Sequence, residues 1–244
     1  MQRVIILGLF IMLVGSSAAI GDIVGSTDDP MTIGGGARPL GMGKAYSAVG
    51  DDADASFLNP AGLANFRGPQ GMGMFTNLLG DIYYTEFCGA TPSRMGVFGV
   101  GYVNTGVSEV LTPVGTSEVY SDYHDTMLVL TYATPLSRFF GYGRNVFLGA
   151  NIKYFSRGWT GGVHSVATAL SMDLGFKYVI NPYLSFGLNR QNILPIGFGS
   201  VFRWPSGAEE SISSIYKVGL AVRPKQFNKK LLIAFDADLP AQSG

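Results

Sequence analysis

Long runs of alternating apolar and polar side chains are the feature that most constrains the fold of this 244-residue chain. In the clearest run, apolar side chains occupy one face of a strand and mostly small or polar ones the other. The first set is Val146, Leu148, Ala150, Ile152 and Tyr154, and the second is Asn145, Gly149, Asn151 and Lys153, with Phe147 as the exception. A repeat of two residues is typical of a β-strand with two different faces. Because similar alternation recurs further along the chain, the sequence predicts an all-β fold.

The lengths of these runs predict strands that cross a membrane. About nine strands are expected, at 70–77, 81–90, 95–104, 122–134, 144–157, 164–179, 183–192, 215–223 and 229–239. A tilted strand needs about 9–11 residues to cross a bilayer, whereas strands of soluble proteins average about 5–6 residues. We therefore expect a transmembrane antiparallel β-barrel, with a secreted soluble β-sandwich as the alternative.

The composition favours the same fold class. Charged residues make up 14 % of the chain, hydrophobic residues 47 %, and there are 34 glycines. Soluble domains carry about 25 % charged residues, whereas in a membrane barrel every second side chain along a strand is apolar because it faces lipid. The formal net charge is zero, so nothing in the electrostatics favours a nucleic-acid partner.

The N-terminus is typical of an export signal. Arg3 precedes the apolar run Val4–Val14, and the small residues Ser17–Ala19 follow it. The apolar run is shorter than the roughly 20 residues that a membrane-spanning helix needs, which favours a cleaved signal peptide over a retained anchor. The expected division is therefore a signal peptide at 1–19, an N-terminal segment at 20–67 and barrel strands at 68–244.

The strand count and the connections predict how the barrel is arranged. Bacterial single-chain barrels have an even number of strands, and Leu239–Gly244 does not end on an aromatic residue. We therefore expect the barrel to be incomplete at its C-terminal end. With the N-terminal segment in the periplasm, the two longest connections, Thr105–Ser121 and Ile193–Ser214, are expected to be extracellular loops.

The Gly/Ala/Asp-rich stretch at 34–64 matches neither a nucleotide loop nor a calcium loop. A P-loop would need glycine at Arg38 and serine or threonine at Ala45, and Pro39 occupies a position where a dinucleotide-binding loop needs glycine. Phe57 and Leu63 stand where an EF-hand requires glycine and glutamate. We expect no cofactor, and a short helix over 45–55.

The same stretch resembles the PorV/PorQ family of outer-membrane proteins, which are relatives of the FadL-type transporters. The resemblance rests on Gly36–Gly43, Asp52–Ala55 and Asn59–Ala64, and more weakly on Leu79–Ile82 and Phe186–Asn192. Leu58 departs from the aromatic residue that often precedes the family's asparagine. The motif residues that we single out are Gly36, Arg38, Gly41, Gly43, Asp52, Asn59, Pro60, Ala61 and Gly62.

The resemblance implies a barrel of about fourteen strands in the outer membrane of a Gram-negative-type bacterium, with residues 20–67 acting as a hatch inside it. It also implies two functions: passage of hydrophobic small molecules, or a role in type IX-style protein secretion together with a translocon and its cargo proteins. A structural or adhesive barrel in contact with outer-membrane lipid is the third reading.

Simple physical arguments predict how the hatch would contact the barrel wall. The glycines at 34–36, 41 and 43 would permit close approach of the two backbones. The charges of Arg38, Asp51, Asp52 and Asp54 would pair with charges on the wall, namely Lys153, Lys177, Lys217 or Asp173, or would contact water.

The sequence contains no recognisable catalytic set, so we expect a protein that is not an enzyme. His124 and His164 lie in different segments without a nucleophile motif nearby. Cys88 is the single cysteine, which excludes an internal disulfide and a metal site built from several cysteines. We expect Cys88 to be a small residue that is buried or faces the membrane.

Overall fold

The computed structural model describes residues 26–27, 29–78, 80–193, 200–227 and 230–240. Its strands are β1 Ser26–Thr27, β2 Gln70–Leu78, β3 Ile82–Pro92, β4 Val97–Val114, β5 Ser117–Pro135, β6 Val146–Gly161, β7 Ser165–Asn181, β8 Leu184–Gln191, β9 Val201–Arg203, β10 Glu209–Ile212, β11 Ile215–Val222 and β12 Ile233–Pro240. The helices are α1 Ala37–Gly41, α2 Ala55–Leu58 and α3 Ser137–Phe140, with 3₁₀ turns at Pro30–Thr32, Pro60–Asn65 and Lys225–Phe227. The expected signal peptide at 1–19 lies outside the described residues. None of the described helices is both long and apolar enough to cross a membrane.

Nine of the strands form one antiparallel meander. They pair in the order β2, β3, β4, β5, β6, β7, β8, β11 and β12. These nine correspond to the nine strands predicted from the alternation, so the all-β, antiparallel prediction is confirmed. Within the described residues β2 and β12 are the two edges of the meander, and they do not pair with each other, so the sheet is not closed.

The connection predicted as a loop at Thr105–Ser121 is instead a continuation of β4 and β5. The two strands stay paired from Val110–Ser121 to Val114–Ser117, beyond a bulge that follows Val107. The prediction was wrong because most side chains of this part are exposed on both faces, which removes the apolar–polar alternation. Its valines and threonines nevertheless favour extended backbone.

The second predicted loop, Ile193–Ser214, also contains strands. Within it β9 and β10 form a short antiparallel hairpin, while residues 194–199 lie outside the described residues. Phe202 is fully buried, with its ring centroid 5.9 Å from that of Phe155 on β6. Because Phe202 packs against β6, the hairpin folds back onto the sheet instead of extending away as a free loop.

Many apolar side chains on one face of the sheet are exposed, and many polar side chains on the other face are buried, which is the reverse of the pattern in soluble proteins. Ile152 is 54 % exposed, whereas the next residue, Lys153, is 2 % exposed. The same contrast runs across the central strands. Exposed apolar side chains include Leu128, Leu130, Leu170 and Leu174, and buried polar ones include Glu86, Asn151, Ser171, Asp173 and Asn189. We call the face with the buried polar side chains the inner face and the other the outer face.

Residues 29–67, called the N-terminal segment below, pack against the inner face. Tyr46 and Phe57 of this segment join Val103, Met127 and Phe155 of the strands in one apolar cluster. The helix expected over 45–55 is absent, and turns occupy most of that stretch, with α1 before it and the start of α2 at its end. A helix does not form here because glycine and aspartate are weak helix formers. Side chains of the strands supply hydrogen-bond donors for the backbone carbonyls of this stretch instead.

Candidate functional site

Glycines on the inner face leave the space that the N-terminal segment occupies. Gly149 and Gly175 stand opposite each other on β6 and β7, and Gly187 and Gly219 do so on β8 and β11. A Cβ atom at Gly149 would overlap the amide nitrogen of Ala61, and one at Gly219 would lie 2.9 Å from the Cβ of Ser47. These glycines of the inner face, which we call the wall below, allow the backbones of the sheet and the segment to approach closely.

The C-terminal end of helix α2 is bound by amide side chains from the wall. The last carbonyl groups of a helix have no partner within it and need donors from elsewhere. Asn151 donates to the carbonyl of Ser56 at 2.8 Å, Gln191 to that of Phe57 at 3.2 Å, and Asn189 to that of Leu58 at 2.6 Å. Three successive carbonyls of this short helix are thus satisfied by β6 and β8.

Two further side chains of the wall bind the turn that precedes α2. The ammonium group of Lys177 donates to the carbonyl oxygens of Val49 and Gly50, at 2.7 Å each. The hydroxyl of Ser185 donates to the carbonyl of Ala48 at 2.9 Å. Lys177 therefore binds backbone dipoles of the segment, and the expected ion pair between Lys177 and the aspartates of the motif does not form.

Asn59 holds the centre of the predicted motif in place. Its amide nitrogen donates to the carbonyl of Ser47 at 2.7 Å and to that of Phe176 on β7 at 3.1 Å. Its amide oxygen accepts a hydrogen bond from the backbone nitrogen of Ala61 at 3.2 Å, which caps the following 3₁₀ turn. Asn59 is fully buried, so one side chain joins two parts of the segment to the wall.

The rest of the Asn-Pro-Ala-Gly motif is also buried at close contacts. Pro60 begins the 3₁₀ turn and lies against Gly149, and Ala61 is buried beside it. A Cβ atom at Gly62 would lie 2.6 Å from the carbonyl oxygen of Gly50, so only glycine fits where these two parts of the segment cross. The structure therefore places this motif at the contact between the segment and the wall.

The other three glycines of the predicted motif differ in their surroundings. Gly36 has a φ angle of +74° and donates its N–H to the carboxylate of Glu86 on β3 at 2.7 Å. Gly41 and Gly43 are exposed, and no described atom lies within 4 Å of a Cβ placed on either. The expectation that Gly41 and Gly43 approach the wall was therefore wrong.

Arg38 pairs within the segment instead of with the inner face. Its guanidinium forms ion pairs with Asp51 and Asp52, the latter at 2.9 Å, and donates to the hydroxyl of Tyr46 at 2.9 Å. Burial and the hydrogen bond to Asp52 raise the pKa of Tyr46 above its ordinary range. Asp51 also lies 3.6 Å from the guanidinium of Arg223, which follows β11.

The wall charges named in the sequence analysis have other partners. The ammonium group of Lys153 lies 2.8 Å from Asp29 and 2.9 Å from Asp173, in a buried group that joins the start of the segment to β6 and β7. Lys217 pairs with Asp238 of the neighbouring strand. The pairings proposed for Lys153, Lys217 and Asp173 with the motif charges were thus wrong, since Asp29 occupies the position next to Lys153.

Asp236 connects the last strand to the segment. Its carboxylate accepts hydrogen bonds from the backbone nitrogens of Tyr46 at 3.0 Å and Ser47 at 2.8 Å. These two residues are separated from Asp236 by most of the chain, so the contact brings β12 against the N-terminal segment.

Sequence reasoning gave no role to several side chains that hold the segment. The alternation puts Asn151, Asn189, Gln191 and Asp236 on the polar faces of their strands without assigning them a contact, and it does not single out Glu86. The signal that was available is that amides recur on the inner face of β8, at Asn189 and Gln191, with Asn151 on the same face of β6. Amide side chains can donate to backbone carbonyls without a net charge, which suits a buried contact with irregular backbone.

Comparison of the chain with protein-family models, with curated proteins and with solved structures finds no match. The resemblance to the PorV/PorQ family therefore stays a prediction that rests on the motif residues alone. His124 on β5 and His164 before β7 have no part in the contacts described above, and the expectation of a non-enzymatic protein stays a prediction as well.

Proposed function

We propose that this chain is an outer-membrane β-barrel protein of the PorV/PorQ type, with its lumen occupied by the N-terminal segment. The observation that carries the proposal is the reversed burial of the sheet. Full burial of a leucine, isoleucine or phenylalanine stabilises a protein in water by about 1.5–3 kcal/mol. The outer face leaves Leu130, Ile152 and Phe235 more than half exposed, which is favourable where lipid covers them.

The polar inner face argues against the soluble β-sandwich. A sandwich has an apolar interface between two sheets, whereas the interior here contains Lys153, Asp173, Glu86 and several buried amides. Buried charges and amides are tolerated because they bind the N-terminal segment. The inner face thus combines an apolar cluster with buried polar side chains that bind a packed segment, which supports a barrel with a plugged lumen.

The proposed role is a non-enzymatic component of protein secretion, with translocon and cargo proteins as its partners. The segment is bound to the wall by hydrogen bonds with β6, β7, β8 and β12. A barrel filled in this way blocks diffusion through its centre, so a partner would bind to the surface of the protein and would not pass through it.

Passage of hydrophobic small molecules is the second candidate, and one observation favours it. Met72, Met74 and Leu78 on the edge strand β2 are half-buried apolar side chains packed against the interior cluster. Methionine is a flexible side chain that adapts to apolar ligands of different shape. An apolar molecule could bind along this edge without passing the polar contacts of the segment.

Membrane fractionation and affinity purification from the native host test the proposal and separate the two roles. The expected result is recovery of the protein in the outer membrane together with a large translocon subunit and secreted cargo. Recovery in the outer membrane without these partners, together with impaired uptake of fatty acids in a deletion strain, would favour the second role. Recovery as a soluble periplasmic or secreted protein would refute the membrane proposal itself.

Planar-bilayer recordings test the occupied lumen separately. If the barrel is closed, it should show low conductance, and deletion of residues 34–64 should raise it, because the segment packs beside β6, β7 and β8. Unchanged conductance after the deletion would mean that the segment does not close a lumen.

A further inference from the structure

Three side chains that can bind metals meet where the N-terminal segment contacts β3. They are Asp54, directly before α2, and Glu86 and Cys88, two residues apart on β3 and therefore on the same face. One ligand atom from each lies within 4.8 Å of the other two. Asp54 and Glu86 are each 1 % exposed and Cys88 is 7 % exposed, so the group is closed to bulk water.

Two carboxylate oxygens in this group have no hydrogen-bond partner among the described residues. They are Oε1 of Glu86 and Oδ2 of Asp54, and both atoms are buried. The other oxygen of Glu86 accepts the N–H of Gly36, and the other oxygen of Asp54 accepts the thiol of Cys88 at 3.4 Å. Buried carboxylates in proteins are normally paired or bound to a metal, and no described lysine or arginine forms a salt bridge with these two.

Gly35 and Gly36 of the segment are packed against the same two carboxylates. A Cβ atom at Gly35 would overlap Glu86, and one at Gly36 would overlap Asp54. The backbone at 35–36 therefore covers the group from the side of the segment, and only glycine leaves the carboxylates the room that they occupy. This contact explains why glycine stands at both positions.

We propose that Asp54, Glu86 and Cys88 bind one divalent transition-metal ion of the zinc type, which joins the N-terminal segment to β3. A thiolate together with carboxylates suits zinc, whereas magnesium and calcium prefer oxygen ligands alone. Zinc binds sulfur at about 2.3 Å and carboxylate oxygen at about 2.0–2.2 Å, so the three ligand atoms, which lie within 4.8 Å of one another, would draw closer together around the ion. Three protein ligands leave a fourth position for water.

The proposal goes beyond the proposed membrane function, because it requires only that the segment packs on β3. The ion would neutralise the two carboxylates and the thiolate, and it would link residues from both parts of the molecule. Removing the ion should therefore loosen the segment while leaving the strands paired.

Cobalt titration of the full chain, folded in detergent micelles and treated with a chelator, tests the site. We expect one equivalent of Co²⁺ to produce a thiolate-to-cobalt charge-transfer band, and one equivalent of Zn²⁺ to remove it. Cys88→Ser should abolish the band, and Glu86→Gln and Asp54→Asn should each weaken binding roughly tenfold or more. Glu118→Gln, an exposed carboxylate on the β4–β5 hairpin, is the matched control and should bind like the unmodified protein.

Three results would overturn the proposal. The first is no binding of Co²⁺ or Zn²⁺ by the unmodified chain, a result that does not depend on any variant folding. The second is binding by Glu86→Gln and Asp54→Asn that is as tight as that of the unmodified protein, which would mean adventitious binding to the thiol alone. The third is an infrared band of a protonated carboxyl group that persists with excess Zn²⁺ and disappears in Glu86→Gln, which would mean that the two carboxylates share a proton instead.

Discussion

Ile152 is the residue at which the reversed faces can be tested most directly. It lies near the middle of β6 on the outer face and is 54 % exposed. An arginine at the midplane of a bilayer costs a barrel about 2–4 kcal/mol, whereas an exposed surface substitution in water changes stability by at most about 0.5 kcal/mol. We therefore expect Ile152→Arg to lower the free energy of unfolding by the larger amount, measured by denaturant titration in lipid vesicles.

Leu111→Arg is the matched control for this prediction. Leu111 is 49 % exposed and lies between the bulge and the turn of the β4–β5 hairpin, away from the middle of the strands. Its substitution should leave the free energy of unfolding nearly unchanged. Equal tolerance at the two positions would place the outer face in water and favour the soluble alternative.

Gly175 tests the close contact between the segment and the wall. A Cβ atom at this position would overlap the amide oxygen of Asn59, so Gly175→Ala must displace the segment. Overpacking of this kind costs about 1–3 kcal/mol. The variant should unfold at lower denaturant concentration and should show faster proteolysis within residues 29–67.

Gly71→Ala provides the comparison, since among the described residues its Cβ would have one atom within 4 Å, the carbonyl oxygen of Cys88 at 3.9 Å. We expect its stability and its proteolysis pattern to match those of the unmodified chain. If Gly175→Ala behaved in the same way as Gly71→Ala, the segment could not be packed against β7 as described.

At the scale of elements, helix α2 depends on the wall for its C-terminal end. Its four residues are too few for a helix that is stable in isolation. Asn189→Ala would leave the buried carbonyl of Leu58 without its donor, at a cost of about 1–3 kcal/mol. Hydrogen exchange should accelerate at α2 and the turn before it, while exchange in β3 to β5 stays slow.

Asn77→Ala on β2 is the control for Asn189→Ala, because Asn77 is exposed. It should leave exchange in α2 unchanged. Unaltered exchange in Asn189→Ala would contradict the role given to the amide side chains of the inner face.

The strands could be predicted from the sequence and the short elements of the segment could not. In β6 and β7, residues two positions apart lie on the same face of the sheet. The alternation of apolar and polar residues in the sequence therefore indicates directly which face each side chain lies on. In α2 and the turn at 47–50 the backbone partners are Lys177, Asn189 and Gln191, which are distant in sequence. No local pattern contains that information, and the expected helix at 45–55 was therefore wrong.

At the scale of the whole molecule, Asp236 holds strand β12 against the N-terminal segment through its hydrogen bonds with Tyr46 and Ser47. If the protein is a membrane barrel, loss of this contact should let the segment move away from β12. We expect Asp236→Ala to raise the conductance in planar bilayers above the low value of the unmodified protein.

Asp238→Ala tests whether a change of charge alone has this effect. Asp238 lies two residues further along β12 and pairs with Lys217 instead of the segment, so its conductance should stay low. A similar rise in both variants would trace the conductance to charge at the edge of the sheet, and no rise in either would mean that Asp236 does not hold the segment closed.

The sequence by itself determined the nine long strands and the two different faces of those with clear alternation, because alternation and length are local properties of the chain. The tertiary structure alone decided what the polar face binds. Glycines on β6, β7, β8 and β11 leave space, and amides and Lys177 donate to the carbonyls of residues 48–58. These contacts join residues about a hundred or more positions apart, and their geometry exists only after the sheet has brought the strands together.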